Sequence, residues 1–86
     1  MTYTLRYTPE AADGLQEVIQ AGLKRLAERI LLKLAEDPHQ GKLLTGKLSG
    51  IYSARITRRF RILYSVSEKE GVVVILDVGH RKDIYR

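Results

Sequence analysis

The sequence IYSARITRRFRILYSV, residues 51–66, alternates apolar and polar side chains in two successive runs. A period of two is typical of β-strands, whose successive side chains point to opposite faces of a sheet. Arg55 then points away from its apolar neighbour Ala54, and Arg61 points away from Phe60. We therefore predict two adjoining strands, with one face buried against a core and the other presenting cations to something anionic.

Positive charge is concentrated in this part of the chain. The protein has 86 residues and a formal net charge of +5, yet the segment 38–67 contains no acidic residue. The cations of this segment are Lys42, Lys47, Arg55, Arg58, Arg59 and Arg61. Clustered cations without interspersed acids favour a polyanionic partner, which for a cytosolic protein usually means nucleic acid. The same charges also fit a solvated face that aids solubility.

The composition excludes several classes of protein. With 44% hydrophobic and 29% charged residues, the chain is typical of a globular protein, and we predict a single domain over residues 1–86. It has no cysteine, which excludes disulfides and thiolate metal sites, and two distant histidines are too few for a zinc site. We expect neither metal nor cofactor. Because there is no signal peptide and no apolar run of about 18 residues, we expect a cytoplasmic protein without membrane contact.

Two helices are predicted in the first half of the chain. A short alternating strand over residues 3–7 leads to Thr8-Pro9, a pair that favours a helix start. The second helix has apolar residues at positions i, i+3, i+4 and i+7 from Leu23 to Leu34. It should end at Asp37-Pro38, because the residue before a proline avoids the helical conformation. The short connection between the helices predicts a helical hairpin.

The second half of the chain predicts strands. Residues 39–50 contain three glycines and should form a loop, whereas the apolar, β-branched run over residues 72–78 suits a central strand. The predicted order is β-α-α-β-β-β. It indicates an α+β fold, in which a helical hairpin packs on one face of a mainly antiparallel sheet.

This order and several short motifs resemble the RelE/ParE superfamily of bacterial and archaeal type II toxins. The motifs, which span nearly the whole chain, are Lys47-Leu48-Ser49-Gly50, the strand pair from Tyr52 to Tyr64 with its Phe60-Arg61 step, and Val78-Gly79-His80-Arg81 followed by Tyr85. The resemblance implies a toxin held inactive by a cognate antitoxin with an acidic or amphipathic helix and arm. It also implies a target: RelE-like members cut messenger RNA in the ribosomal A site, whereas ParE-like members inhibit DNA gyrase and have no nuclease chemistry.

The resemblance further implies site residues. RelE-like enzymes have basic residues on the first strand of the central pair, an arginine on the next strand, and a basic residue and a tyrosine near the C-terminus. The matching positions are Arg55, Arg61, Arg81 and Tyr85, with Lys47 in the preceding loop. Ser53 departs from the pattern, because the best-known RelE proteins have a lysine there that is proposed to abstract a proton. His80 occupies a place where several relatives have a basic residue or a histidine, and we expect it to compensate.

The chemistry of RNA cleavage divides these residues by role. Without a metal, the 2′-hydroxyl of the substrate attacks phosphorus, so the site must remove one proton, stabilise the charge and protonate the leaving oxygen. Arginine stays protonated and suits charge stabilisation, whereas histidine is the natural proton carrier near neutral pH. We therefore predict that Arg61 and His80 act together on one face of the sheet, and that Tyr85 stacks on a base or orients the nucleophile. The residues expected to bind RNA are Lys42, Lys47, Arg58, Arg59 and Lys82.

Three functions compete on this sequence. The first is a ribosome-dependent endoribonuclease, an mRNA interferase that inhibits translation. The second is a gyrase inhibitor, which would need no proton-transfer group. The third is a non-catalytic nucleic-acid-binding module, which would explain the charge but not the C-terminal cluster. Structural alternatives also exist for single residues. Arg61 could be a solvated strand residue, Tyr85 could anchor the C-terminus, and His80 could cap the last strand. His39 is expected to be solvent-exposed and without function.

Overall fold

The computed structural model describes residues 2–84, which form a five-stranded sheet and three helices. The strands are β1 (Thr4–Tyr7), β2 (Lys42–Leu43), β3 (Tyr52–Arg55), β4 (Phe60–Ser67) and β5 (Val72–His80). The helices are α1 (Pro9–Gln20), α2 (Lys24–Glu36) and α3 (Arg81–Ile84), and two 3-10 turns cover Pro38–Gln40 and Gly46–Leu48. The predicted α+β fold is confirmed, and β2, α3 and the two turns are additions to the predicted order.

The sheet has the strand order β1-β5-β4-β3-β2. The first strand runs parallel to β5, and the other neighbours are antiparallel. The apolar strand β5 lies between β1 and β4, in agreement with its predicted interior position. The prediction of a continuous loop over residues 39–50 is wrong at Lys42 and Leu43, because these residues pair with β3, a long-range contact that local sequence does not reveal. Within residues 2–84, no helix is long and apolar enough to cross a membrane.

The core lies between one face of the sheet and the two long helices. The register aligns Ala54 with Ile62 and Ile62 with Val78, so these three side chains share a face. They belong to one hydrophobic cluster with buried residues of α1 and α2, among them Val18 and Leu34. The predicted alternation is therefore confirmed around the arginines: Arg55 and Arg61 lie on the other face, which also buries Ser53 and Leu63.

The first helix fixes the end of β5 that leads into α3. Thr8 caps α1 by accepting a hydrogen bond from the backbone N–H of Ala11 at 3.0 Å, and its hydroxyl donates to the carbonyl oxygen of Leu76 at 2.7 Å. Gly14 allows α1 to lie directly on β5, because a Cβ at this position would be 1.7 Å from the carbonyl oxygen of Val78. These contacts hold the strand end that carries His80.

Candidate functional site

Two arginines lie opposite each other on neighbouring strands. The Cα atoms of Arg55 in β3 and Arg61 in β4 are register partners, so their side chains share the face opposite to Ala54 and Ile62. Directly opposed residues have Cβ atoms about 4.5–5.5 Å apart, and like charges in such pairs destabilise a sheet. The shared face predicted for these arginines is confirmed. An anion bound between them would relieve the repulsion.

Arg61 is held in place by the next strand and by α3. Its register partner in β5 is Gly79, and a Cβ at Gly79 would lie 3.0 Å from the Cγ2 atom of Ile84. The buried side chain of Ile84 therefore covers Gly79 on the face of Arg61. The Nε atom of Arg61 is buried and has no hydrogen-bond partner among residues 2–84. The guanidinium stem is thus packed, while part of its donor capacity stays unused by the described chain.

Lys42 adds a third cation to this pair. It is the register partner of Ser53, which stands two residues before Arg55 on β3, so Lys42 projects from the same face of the sheet. A cavity of about 310 Å³ lies at this edge, and its lining residues are Ile30, Leu34, Gln40, Gly41, Lys42, Ser53, Ala54, Arg55 and Arg61. Within residues 2–84, β2 pairs with β3 at Tyr52 and Ser53. Past Ser53 the edge of β3 has no neighbouring strand there, so side chains from both faces of the sheet can line the cavity. The lining contains three cations and no carboxylate.

A second group of cations surrounds the β3–β4 turn. Arg58 and Arg59 are exposed, and the hydroxyl of Thr57 accepts hydrogen bonds from the backbone N–H groups of Arg59 and Phe60, both at 3.2 Å. The backbone N–H of Arg81 donates to the carbonyl oxygen of Arg59 at 2.7 Å. This bond joins the turn to α3, which carries the exposed Arg81 and Lys82.

Lys47 and Tyr85 are two further predicted site residues. Lys47 is exposed on the 3-10 turn over Gly46–Leu48 and does not line the cavity of Arg55 and Arg61. Tyr85 lies outside the described residues, so its predicted role remains a prediction.

His80 faces a different environment from the one predicted. Its register partner is Phe60, and the two rings meet edge to face with centroids 5.7 Å apart. Phe60 and Arg61 are successive strand residues and point to opposite faces, so the prediction that His80 reaches over the face of Arg61 is wrong. Local sequence could not reveal this, because the face of His80 depends on the β4–β5 register and its bulge between Leu63 and Tyr64.

The surroundings of the His80 ring are polar and acidic. The Nδ1 atom accepts a hydrogen bond from the backbone N–H of Lys82 at 3.2 Å. The ring also lines a cavity of about 330 Å³, whose acidic lining residues are Glu10, Asp13, Glu17, Asp77 and Asp83. Within residues 2–84, no group of three or more His, Cys, Asp or Glu side chains could hold a metal ion.

A hydrogen-bonded chain of four side chains was not predicted from the sequence. Tyr3 donates its hydroxyl to Glu68 at 2.6 Å, Glu68 also bonds to Nε2 of His39, and Nδ1 of His39 lies 3.0 Å from the hydroxyl of Tyr52. The hydrogen bond from Tyr3 is the largest cause that lowers the pKa of Glu68, and the hydrogen bond from His39 is the second. The bond between Tyr3 and Glu68 also raises the pKa of Tyr3. His39 is exposed as expected, but it bridges two elements. Its partners are distant in sequence, so no local signal indicates them.

The opposed arginines give a prediction about stability. Replacing Arg55 by Thr removes a like-charge pair and introduces a β-branched residue that suits a strand. We expect the free energy of unfolding to rise by about 0.5–1 kcal/mol and the melting temperature by roughly 2–8 °C. The gain should shrink with added salt, because salt screens the repulsion that is removed. Thermal unfolding by circular dichroism measures both effects.

The matched control for this prediction is Arg58→Thr, which changes an exposed arginine in the turn, outside β3 and β4. Its melting temperature should stay close to that of the wild type, since exposed substitutions usually change stability by less than about 0.5 kcal/mol. A lower melting temperature for Arg55→Thr would show that the Arg55–Arg61 pair does not repel.

Comparisons with known proteins agree on one family. Residues 5–85 match the sequence profile described as ParE toxin of type II toxin-antitoxin system, parDE. Toxin RelG of Mycobacterium tuberculosis is 38% identical over 87 aligned residues, which cover 100% of this chain and 99% of that protein. In the crystal structure of the toxin-antitoxin complex RelBE2 from Mycobacterium tuberculosis, one chain is 34% identical with a TM-score of 0.80, and the alignment covers 94% of this chain and 100% of that chain. The YoeB/ParE toxin from Agrobacterium tumefaciens shares the fold, with a TM-score of 0.80 at 20% identity over 91% of this chain and 98% of that one.

Proposed function

The chain belongs to the ParE toxin family of type II toxin–antitoxin systems, within the RelE/ParE superfamily, and from this we propose that it is a ribosome-dependent endoribonuclease. In this proposal it cleaves messenger RNA and stops translation. The observation that supports it most is the cavity lined by Lys42, Arg55 and Arg61, which contains no carboxylate. Three cations facing one space suit a phosphodiester better than they suit an apolar or acidic ligand.

The proposed reaction needs no metal. The 2′-oxygen of the substrate attacks the adjacent phosphorus, a P–O bond to the 5′-oxygen breaks, and a 2′,3′-cyclic phosphate forms. One proton leaves the 2′-hydroxyl and one reaches the 5′-oxygen. Arg61 and Arg55 stabilise the charge that develops on the phosphoryl oxygens, and Arg61 can do so with little reorganisation because Ile84 and the β4–β5 ladder hold its side chain in place. Arginine stays protonated at ordinary pH, so neither arginine removes the proton.

The proton carrier in this proposal is His80, with Arg81 beside it. Imidazole is the side chain that most often transfers protons near neutral pH, and His39 is already paired with Glu68 and Tyr52. Because His80 lies on the face opposite to Arg61, the substrate would have to reach around the end of β5 to contact both residues. Tyr85 would stack on a base or orient the nucleophile.

The exposed cations around the site would bind the RNA backbone without taking part in the reaction. In this proposal they are Lys47, Arg58, Arg59 and Lys82, together with Lys42 at the cavity. Such contacts position a nucleic acid and make its affinity depend on salt.

The proposed partner is a cognate antitoxin. A structural relative with 34% identity was solved as a toxin-antitoxin complex, which supports an antitoxin for this chain as well. An acidic or amphipathic helix with an extended arm would complement the cations at residues 42–61 and suppress toxicity.

Gyrase inhibition is the second candidate function. It is favoured by the ParE description of the matching family and by the position of His80 on the face opposite to the arginine pair. A gyrase inhibitor would use the same cations for binding alone.

The two candidates differ in the process that stops first. After induction of the protein without an antitoxin, we expect incorporation of labelled amino acids to fall before incorporation of labelled thymidine, because translation is the proposed target. Mapping the 5′ ends of cellular RNA in the same cultures should show new cuts within translated messages. If DNA synthesis falls first and no new RNA ends arise, the protein is a gyrase inhibitor and the endoribonuclease proposal is wrong.

A further inference from the structure

A buried tyrosine holds the segment that leads into β2. Tyr64 is 0% exposed, and its ring stacks on Tyr52 with centroids 5.4 Å apart and an interplanar angle of 17°. The Tyr64 hydroxyl donates to the carbonyl oxygen of Pro38 at 2.7 Å and accepts from the backbone N–H of Gly41 at 3.1 Å. One side chain in the core therefore satisfies two backbone groups of a segment at the sheet edge.

The hydroxyl keeps this role over the ordinary pH range. Burial raises the pKa of Tyr64 to about 12, partly offset by the hydrogen bond from Gly41, so the phenol stays protonated and can donate to Pro38. The segment lies directly against the phenol. A Cβ at Gly41 would be 2.2 Å from the Tyr64 hydroxyl oxygen and 2.9 Å from the carbonyl oxygen of Ser53.

Lys42 follows this fixed point by one residue. It begins β2, a strand of two residues that are both exposed, so side-chain packing contributes little to its position. The backbone pairing with Ser53 and the hydrogen bonds of Tyr64 to Pro38 and Gly41 are what hold Lys42 at the wall of the cavity. Arg55 and Arg61, in contrast, are placed by the β3–β4 ladder.

We propose that Tyr64 is a positioning residue for the anion site, and that its hydroxyl acts through Pro38 and Gly41 to hold Lys42 against an anion bound by Arg55 and Arg61. The inference rests on the proposed function in one respect, since it takes that anion to be a phosphate of RNA. It goes beyond that function by naming a core residue, itself out of reach of substrate, that sets the affinity of the site.

Inorganic pyrophosphate is the probe for this inference, because it carries two phosphates and needs neither ribosome nor RNA. Its dissociation constant is measured at low salt by calorimetry, with amide shifts of β2, β3 and β4 locating the site. Lys42→Ala should raise the dissociation constant about tenfold, the usual effect of losing one charge-assisted hydrogen bond. Tyr64→Phe, which keeps the ring and its stacking, should raise it by at least about threefold.

Two double variants separate positioning from a general loss of stability. If Tyr64 acts through Lys42, the variant Tyr64→Phe/Lys42→Ala should bind pyrophosphate no more weakly than Lys42→Ala, within about twofold. In the Arg61→Ala background, Tyr64→Phe should raise the dissociation constant by the same factor as in the wild type, because the β3–β4 ladder places Arg61 independently. If Tyr64 only stabilised the fold, Tyr64→Phe would raise the dissociation constant by the same factor in the Lys42→Ala background and in the Arg61→Ala background. Tyr7→Phe, which removes the hydroxyl of a partly exposed tyrosine on β1 at the far edge of the sheet, is the matched control and should bind like the wild type.

The inference is overturned if the wild type does not bind pyrophosphate at this cavity, if Tyr64→Phe binds as tightly as the wild type, or if its effect multiplies with that of Lys42→Ala. Should Tyr64→Phe fail to fold, Gly41→Ala replaces it, because the added methyl group displaces the same segment from the phenol and from Ser53. Its effect should likewise vanish in the Lys42→Ala background. The proposed function fails separately: translation could continue after induction while the pyrophosphate results stand.

Discussion

Replacing Arg61 by Ala is expected to slow RNA cleavage on ribosomes by a factor on the order of 10²–10³, the usual cost of removing one preorganised transition-state donor. The physical reason is the packing of this side chain. Ile84 covers Gly79, the register partner of Arg61, and the Nε atom is buried, so packing holds the stem of the side chain and little reorganisation is needed when charge develops. The rate at saturating ribosome concentration is the quantity to measure, because it excludes weaker binding.

Arg58→Ala is the matched control for Arg61→Ala. Arg58 is an exposed arginine of the β3–β4 turn and contributes charge without a place in the cavity. Its saturated rate should stay within a few-fold of the wild type, while the slope of log affinity against log salt for single-stranded RNA should fall by about 0.7. Arg61→Lys should recover part of the rate, since it restores charge but not the two-pronged geometry. Equal rates for Arg61→Ala and the wild type would remove Arg61 from the reaction.

Replacing His80 by Gln is expected to reduce the saturated rate by about 10²–10⁴, the typical contribution of general acid–base catalysis. Glutamine keeps a similar size and can still accept the hydrogen bond from Lys82, but it carries no proton at neutral pH. Saturated cleavage rates at neutral pH, with melting curves to confirm folding, give the test.

His39→Gln is the corresponding control, because His39 is bonded to Glu68 and Tyr52 at another part of the sheet. It should change the cleavage rate by no more than a few-fold. If His80→Gln cleaves at the wild-type rate while Arg81→Ala or Tyr85→Phe is inactive, the proton carrier lies in the C-terminal residues. The site would then consist of basic residues and a tyrosine, and the position of His80 beside Phe60 would be purely structural.

Local pattern determined the parts of this protein that depend on side-chain periodicity. The alternation from Tyr52 to Val66 was sufficient to predict both strands and the separation of Arg55 and Arg61 from the core. Thr8-Pro9 and the spacing of the leucines predicted the two long helices. Each of these follows from a repeat of 2 or 3.6 residues, which is a property of neighbouring residues in the chain and requires no knowledge of distant contacts.

The tertiary structure decided how these elements meet, because register and edge pairing depend on residues far apart in sequence. It placed Lys42 opposite Ser53 and thereby completed a three-cation cavity from a segment that the sequence predicted as loop. It paired His80 with Phe60 and so moved the imidazole to the face opposite to Arg61, since a strand residue takes the face of its partner. It also joined the buried hydroxyl of Tyr64 to Pro38, 26 residues earlier, because a phenol in the core must find hydrogen-bond partners wherever the fold brings backbone groups to it.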